Sequence, residues 1–193
     1  MKLKITGGIH KGRMIDAPKG NQTRPTSEKL RKTFFDICQM RIEDSFVLDL
    51  FSGSGAIGLE ALSRGCTESY LVESDSKAQF TIDNNIKLLS YQKSAHLLKM
   101  DVLKALARLK EAGIVFDLIF MDPPYATNKE AKGLAEQVLE KIEDLNLLKD
   151  DGMILLEEGR HFNLERCIDG LKTLELFNQR KAGDTQIFQF VKK

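Results

Sequence analysis

The sequence offers nothing from which to build a cross-linked or metal-stapled fold. Its 193 residues hold three cysteines, Cys38, Cys66 and Cys167, far apart from one another. No C-x-x-C occurs, and His10, His96 and His161 lie near no cysteine pair. A disulfide framework and a zinc site are therefore not expected, and buried thiols in a reducing compartment are. No apolar run approaches the roughly 20 residues of a membrane span. The opening residues, MKLKITGGIHKGR, lack the apolar core of a secretory signal, so a cytoplasmic protein is expected. Neither charge sign is in excess: 29 basic residues face 28 acidic ones, a net charge of +1. Taken as an average, that balance predicts no nucleic-acid partner.

The average conceals a division. Residues 1–32 contain nine basic residues and two acidic ones, a net of +7, and the remainder carries 20 and 26, a net of −6. Such polarity points to a polyanion bound by the N-terminal part. Lys11, Arg13, Arg24, Lys29, Arg31 and Lys32 are the candidate phosphate contacts, and a solvated basic face is the plain alternative. The rest of the composition, 42% hydrophobic and 30% charged, is that of an ordinary globular chain. A chain this long buries roughly 70% of its unfolded surface and needs no staples.

Residues 2–6 and 13–15 read as short strands of a hairpin around Gly7, Gly8 and Gly12. A loop from Pro18 to Pro25 follows. Thr26 or Ser27 then caps a helix to about Met40, with Leu30, Phe34, Ile37 and Cys38 on one face. From Phe46 the texture changes. Short apolar runs at 46–50, 69–73, 96–100, 116–121 and 153–157 alternate with amphipathic stretches at 56–64, 76–89, 102–112 and 130–148. That alternation predicts an α/β fold with a mostly parallel sheet covered on both faces. Residues 171–177 and 185–191 flank Ala182-Gly183-Asp184 with no helix between them, and read as a terminal antiparallel hairpin. The expected layout is a basic appendage, 1–44, on an α/β domain, 45–193.

Two motifs carry chemistry. Asp49-Leu50-Phe51-Ser52-Gly53-Ser54-Gly55 lies directly after a strand and before a helix, where open α/β sheets bind ligands. Glycines there let a ligand approach the backbone, and a helix N-terminus offers free N–H groups. Residues 53–58 also match G-x-G-x-x-G, and Glu73 follows Gly53 by 20 residues, where a carboxylate accepts from ribose hydroxyls. A purely structural glycine turn is the alternative. Asp101, after the third apolar strand, is placed to accept from an adenine amino group.

The second motif is Asp122-Pro123-Pro124-Tyr125, after the fourth strand of the series. A stiff loop is its plain reading, since proline fixes φ. The tetrapeptide resembles the amino-methyltransferase signature of S-adenosylmethionine enzymes. An exocyclic base amine is a poor nucleophile, because its lone pair is delocalised into the ring. Two acceptors, the Asp122 carboxylate and the Pro123 carbonyl, can hold its hydrogens and aim the nitrogen. The prolines set that geometry in advance. Tyr125 offers a face for an extruded base.

With these residues together, the chain resembles the RsmD-type family of bacterial 16S ribosomal RNA guanine-N2 methyltransferases, within the Rossmann-like class I enzymes. The resemblance spans nearly the whole chain. It includes Ile5-Thr6-Gly7-Gly8, Gly12-Arg13, Arg24-Pro25-Thr26 and Arg31-Lys32-Thr33-Phe34-Phe35. It continues through Asp49 to Gly55, Gly58 to Gly65, Glu73, Asp122 to Tyr125 and Lys181-Ala182-Gly183. It departs from the family at Ile9-His10-Lys11 and in the final strand, which reads QIFQF. The resemblance implies a seven-stranded sheet and S-adenosylmethionine as cofactor, with S-adenosylhomocysteine as product and no metal. It also implies cofactor contacts at Gly53, Gly55, Glu73 and Asp101, with Asp49, Phe51 and Ser54 beside them, and base contacts at Asp122, Pro123, Pro124 and Tyr125. Arg24 and Thr26 would lie beside the cofactor pocket and the RNA entrance. The implied partner is 16S rRNA within an assembling small subunit, and the implied state is a monomer. Three readings compete: a methyltransferase acting on DNA adenine or protein glutamine, a nicotinamide-dependent oxidoreductase, and an RNA-binding module without activity.

Overall fold

The computed structural model describes residues 1–18, 28–125 and 132–193. The chain packs as two compact units, residues 1–102 and 103–193. Its main sheet has seven strands and is mostly parallel. No helix among the described residues is long and apolar enough to cross a membrane.

The first unit opens with an antiparallel hairpin of β1 (Lys2–Lys4) and β2 (Met14–Asp16). Helix α1 (Glu28–Cys38) follows and buries Leu30, Phe34, Phe35 and Cys38. The expected cap at Thr26 or Ser27 lies outside the described residues. Then come β3 (Phe46–Leu50), α2 (Ala56–Ser63), β4 (Glu68–Glu73), α3 (Ser76–Leu88) and β5 (Ala95–Lys99). The three strands run parallel in the order β5-β4-β3, with Asp49 opposite Leu71 and Leu71 opposite Leu97. Asp75 starts α3 by accepting from the Ala78 amide at 2.8 Å.

Helix α2 is buried along its whole length, from Ala56 to Ser63. One side faces β3 and β4, and the N-terminal hairpin covers the other. A single serine fastens the hairpin turn. The Ser63 carbonyl accepts from Ile9 N at 2.7 Å. Its hydroxyl accepts from His10 N at 2.9 Å and donates to the Gly7 carbonyl at 2.7 Å. Gly8 has φ +75°, and a methyl group there would stand 1.6 Å from the Ser63 carbonyl oxygen, so only glycine permits this approach.

One turn earlier in α2, the fully buried Glu60 accepts from Thr6 N at 3.0 Å and from Arg64 Nη2 at 2.7 Å. It also pairs with Arg31 at 3.4 Å, and Arg31 donates to the Lys4 carbonyl at 3.0 Å. Arg64 lies 4.4 Å over the Phe35 ring. On the next helix, buried Asn85 accepts from Asp16 N and donates to Asp16 O, both at 2.8 Å, and donates to the Ser54 carbonyl at 3.0 Å. The hairpin is thus joined to α2 and α3 through buried polar groups that hydrogen-bond to one another.

The second unit holds α4 (Val102–Glu111, starting at the boundary), β6 (Phe116–Met121), α5 (Leu134–Leu145), β7 (Leu148–Glu158), α6 (Leu164–Asp169), β8 (Leu174–Ala182) and β9 (Thr185–Lys192). Strands β6 and β7 pair parallel, whereas β7–β9 and β9–β8 pair antiparallel. The terminal hairpin is as expected, but β8 begins at Leu174 rather than residue 171. The amides of Lys172, Thr173 and Leu174 are taken by the Glu143 carboxylate at 2.9, 2.5 and 2.8 Å. Helix α5 stops at Leu145, because Asn146 turns left-handed at φ +51°, and Leu148 already belongs to β7. Helix α6 has only six residues and no periodic signal. Asn163 caps it, and Arg166 forks onto buried Glu136 at 2.9 and 2.6 Å.

Candidate active site

Because β3, β4 and β5 are parallel, their carboxyl ends share one edge. Phe51, at φ +64°, turns the chain out of β3. The loop is tied by Ser52 N to the Val72 carbonyl (3.0 Å), Ser52 Oγ to the Asp49 carbonyl (2.6 Å) and Gly55 N to the Ser52 carbonyl (2.7 Å). Asp49 is 2% exposed and accepts from Gly58 N at 2.9 Å, so its carboxylate braces the first turn of α2. Ser54 is buried, and its carbonyl is held by Asn85. Gly53 differs from its neighbours. It has φ +54°, and a methyl group added there would meet no atom within 4 Å, so this backbone faces open space.

Glu73, at the end of β4, secures the same edge. One carboxylate oxygen accepts from Gly53 N at 2.8 Å, and the other accepts from Ser74 N and Asp75 N, each at 2.8 Å. Three main-chain donors fix the carboxylate in place. Each of its oxygens keeps acceptor capacity toward solvent. Asp101, just beyond β5, is exposed at the third strand end of this edge. Sequence-predicted Asp49, Phe51, Gly53, Ser54, Gly55 and Glu73 therefore come together, with Asp101 on the same edge. Arg24 and Thr26 lie outside the described residues.

In the second unit, β6 ends at Met121 opposite Leu156 of β7. Asp122 is half-buried, Pro123 buried, Pro124 exposed and Tyr125 45% exposed. Tyr125 Oη donates to Glu157 Oε1 at 2.7 Å. Burial and that carboxylate push the Tyr125 hydroxyl above its ordinary pKa, with Asp122 and Glu158 adding to the effect, so it remains a donor. The ring lies against Gly159, where an added methyl would stand 3.2 Å from Cδ2. Sequence reasoning missed Glu157 and Gly159. A usable signal was present in MILLEE: two carboxylates closing an otherwise apolar strand beside the Asp122 loop.

Burial pushes the Cys38, Cys66 and Cys167 thiols up to about 12, which leaves them as inert packing groups. Among the described residues, no group of three or more His, Cys, Asp or Glu side chains is placed to hold a metal ion.

Residues 3–191 match the family described as conserved hypothetical protein 95. The Escherichia coli K12 protein named ribosomal RNA small subunit methyltransferase D is 32% identical, over 81% of this chain and 74% of that protein. The chain belongs to this methyltransferase D family. A Bacillus subtilis relative, YlbH, provisionally named an rRNA methyltransferase, is 35% identical over 88% of this chain and 89% of its own. The solved structure of Escherichia coli yhhF, also provisionally a methyltransferase, superposes with a TM-score of 0.83 at 27% identity, covering 100% of this chain and 99% of that one. The α/β fold with its seven-stranded sheet and C-terminal antiparallel hairpin is thus that of a methyltransferase.

The basic N-terminal residues of this methyltransferase-family chain separate into two kinds. Lys11 and Arg13 are exposed in the hairpin turn, and Lys29 and Lys32 are exposed on α1, Lys32 with Glu28 at 2.9 Å. Arg31, expected among the phosphate contacts, is fully buried on Glu60 and the Lys4 carbonyl. It faces inward because the α1 stripe that buries Leu30, Phe34 and Phe35 includes it. Its guanidinium is a structural group, unavailable to a phosphate.

Proposed function

We propose that this protein transfers a methyl group from S-adenosylmethionine to the exocyclic N2 amine of a guanine in small-subunit (16S) rRNA. The observation that carries the reading is Asp122-Pro123-Pro124-Tyr125 at the carboxyl end of β6, with a tyrosine ring that is partly exposed and anchored at its hydroxyl. Its family relationship and the rRNA methyltransferase names of its relatives support it.

The residues at the β3–β5 edge fit the proposed cofactor. The open backbone face at Gly53 admits a ligand that any larger residue would crowd. The Glu73 carboxylate, held by three amides, suits a ribose diol, and Asp101 suits an adenine amine. When bound, the cofactor supplies an electrophilic methyl on a sulfonium. The protein's own residues supply position. Asp122 and the Pro123 carbonyl accept the two amine hydrogens, so the nitrogen lone pair is aimed rather than free to rotate. The two prolines stiffen the loop, and Tyr125 stacks on the extruded base. We assign residues 1–44 to RNA binding and residues 45–193 to cofactor binding and catalysis, in the cytoplasm, on an assembling subunit, by a monomer.

The deciding experiment is methylation of small subunits from cells lacking this protein, with tritiated cofactor and nucleoside mapping of the product. N2-methylguanosine at one position is expected. Label in DNA adenine or protein glutamine instead, or none anywhere, overturns the proposal.

The arm makes a separate prediction. Replacing Lys11, Arg13 and Lys29 together with alanine will flatten the slope of log binding constant against log salt by about 2, at roughly 0.7 per lost single-strand phosphate contact. Filter binding across a salt series measures it. An unchanged slope rejects the phosphate role.

A further inference from the structure

The Tyr125 ring would be a poor platform if it were free to swing about its side-chain torsions. Three features of the second unit hold it. The first is the 2.7 Å hydrogen bond from Tyr125 Oη to Glu157 Oε1. Glu157 is only 4% exposed, and it follows Leu156, which pairs with Met121 just before Asp122. The second is Gly159, whose bare α-carbon lets the ring approach to a distance that a side chain would occupy. The third is the pair of prolines preceding the tyrosine, whose fixed φ angles stiffen the chain that leads into it. Burying a carboxylate is costly without a strong partner. The one hydrogen bond the Glu157 carboxylate accepts among the described residues comes from the tyrosine hydroxyl.

We infer that Glu157 and Gly159 are positioning residues for methyl transfer: the carboxylate fixes the hydroxyl end of Tyr125, and the glycine fixes where the ring plane lies. The inference rests on the reading of Tyr125 as the surface that receives the target base. Neither residue touches that base. Both act through the ring, so their effects belong in the turnover step and not in cofactor affinity. The bond needs an oxygen acceptor at position 157 rather than a charge, so a carboxamide serves.

Single-turnover and steady-state methylation of small subunits by intact variants tests this. Glu157→Leu and Tyr125→Phe are each expected to lower kcat about tenfold, with the cofactor KM within twofold of the starting protein. The double variant is expected to be no worse than either single one, since both remove the same bond. Glu157→Gln is expected to restore at least half of kcat. Gly159→Ala, which leaves the strand interior intact, is expected to lower kcat in the same direction and serves if Glu157→Leu does not fold. Full turnover in Tyr125→Phe and Gly159→Ala, while Tyr125→Ala is impaired, overturns the positioning role and leaves base stacking standing. Full turnover in Tyr125→Ala overturns the stacking reading itself.

Discussion

Replacing Asp122 with alanine will lower methyl transfer by a factor of about 10²–10³, the usual cost of losing one preorganised polar contact at a reacting centre. Cofactor affinity will stay within twofold. The separation follows from the two roles proposed. The candidate cofactor contacts sit on the ends of β3, β4 and β5, and Asp122 sits on the end of β6. What the amine requires at position 122 is an acceptor oxygen. Asp122→Asn keeps one and will therefore retain measurable transfer, well above the alanine variant. If the carboxylate were instead the obligatory proton acceptor, asparagine would be as inactive as alanine. Isothermal titration with S-adenosylhomocysteine and a methyl-tritium assay on small subunits read the two quantities separately. Undiminished transfer by Asp122→Ala removes this residue from the mechanism.

Replacing Glu60 with leucine will cost about 3–5 kcal/mol of stability, the range found when one partner of a buried ion pair is deleted. For a chain of this length that lowers the midpoint of thermal unfolding by about 10 °C. The size reflects what would be abandoned. Arg31 is fully buried, its Nε already lacks a partner, and without Glu60 it retains the Lys4 carbonyl. Thr6 would lose its acceptor for both N–H and hydroxyl. Arg31→Met, which removes the charge along with the bond, will cost less than Glu60→Leu. Differential scanning calorimetry decides the point, and equal stabilities for the two variants would contradict this account of the network.

The sheet was legible because its strands are continuous apolar runs separated by helices of ordinary length, and β3, β4, β5 and β6 fall within a residue or two of their expected positions. Helix α6 was not, because six residues carry no period, and what holds it is the Asn163 cap and the Arg166–Glu136 pair, a contact thirty residues distant. The glycine loop and Asp122 to Tyr125 stand directly after β3 and β6 as expected, because glycine and proline at fixed spacing mark where a strand ends. Arg31 was misread for the opposite reason. A basic residue on an amphipathic helix ordinarily faces water, but Arg31 shares the helical spacing of buried Phe34, Phe35 and Cys38, and its charge is met by Glu60 on a different helix. Glu157 and Asn85 escaped notice in the same way, since the partner that gives each its meaning is remote in the chain.

Asn85 bears on how such a protein can be altered. Its single amide group binds Asp16 at the end of the hairpin and Ser54 in the glycine loop at once. The N-terminal hairpin is therefore not a detachable accessory. A chimera that borrowed its basic turn without an asparagine on α3, a serine and a glutamate on α2 would gain the charges and lose the seat. If the turn grips RNA as proposed, its exposed residues can be exchanged while the mounting stays fixed.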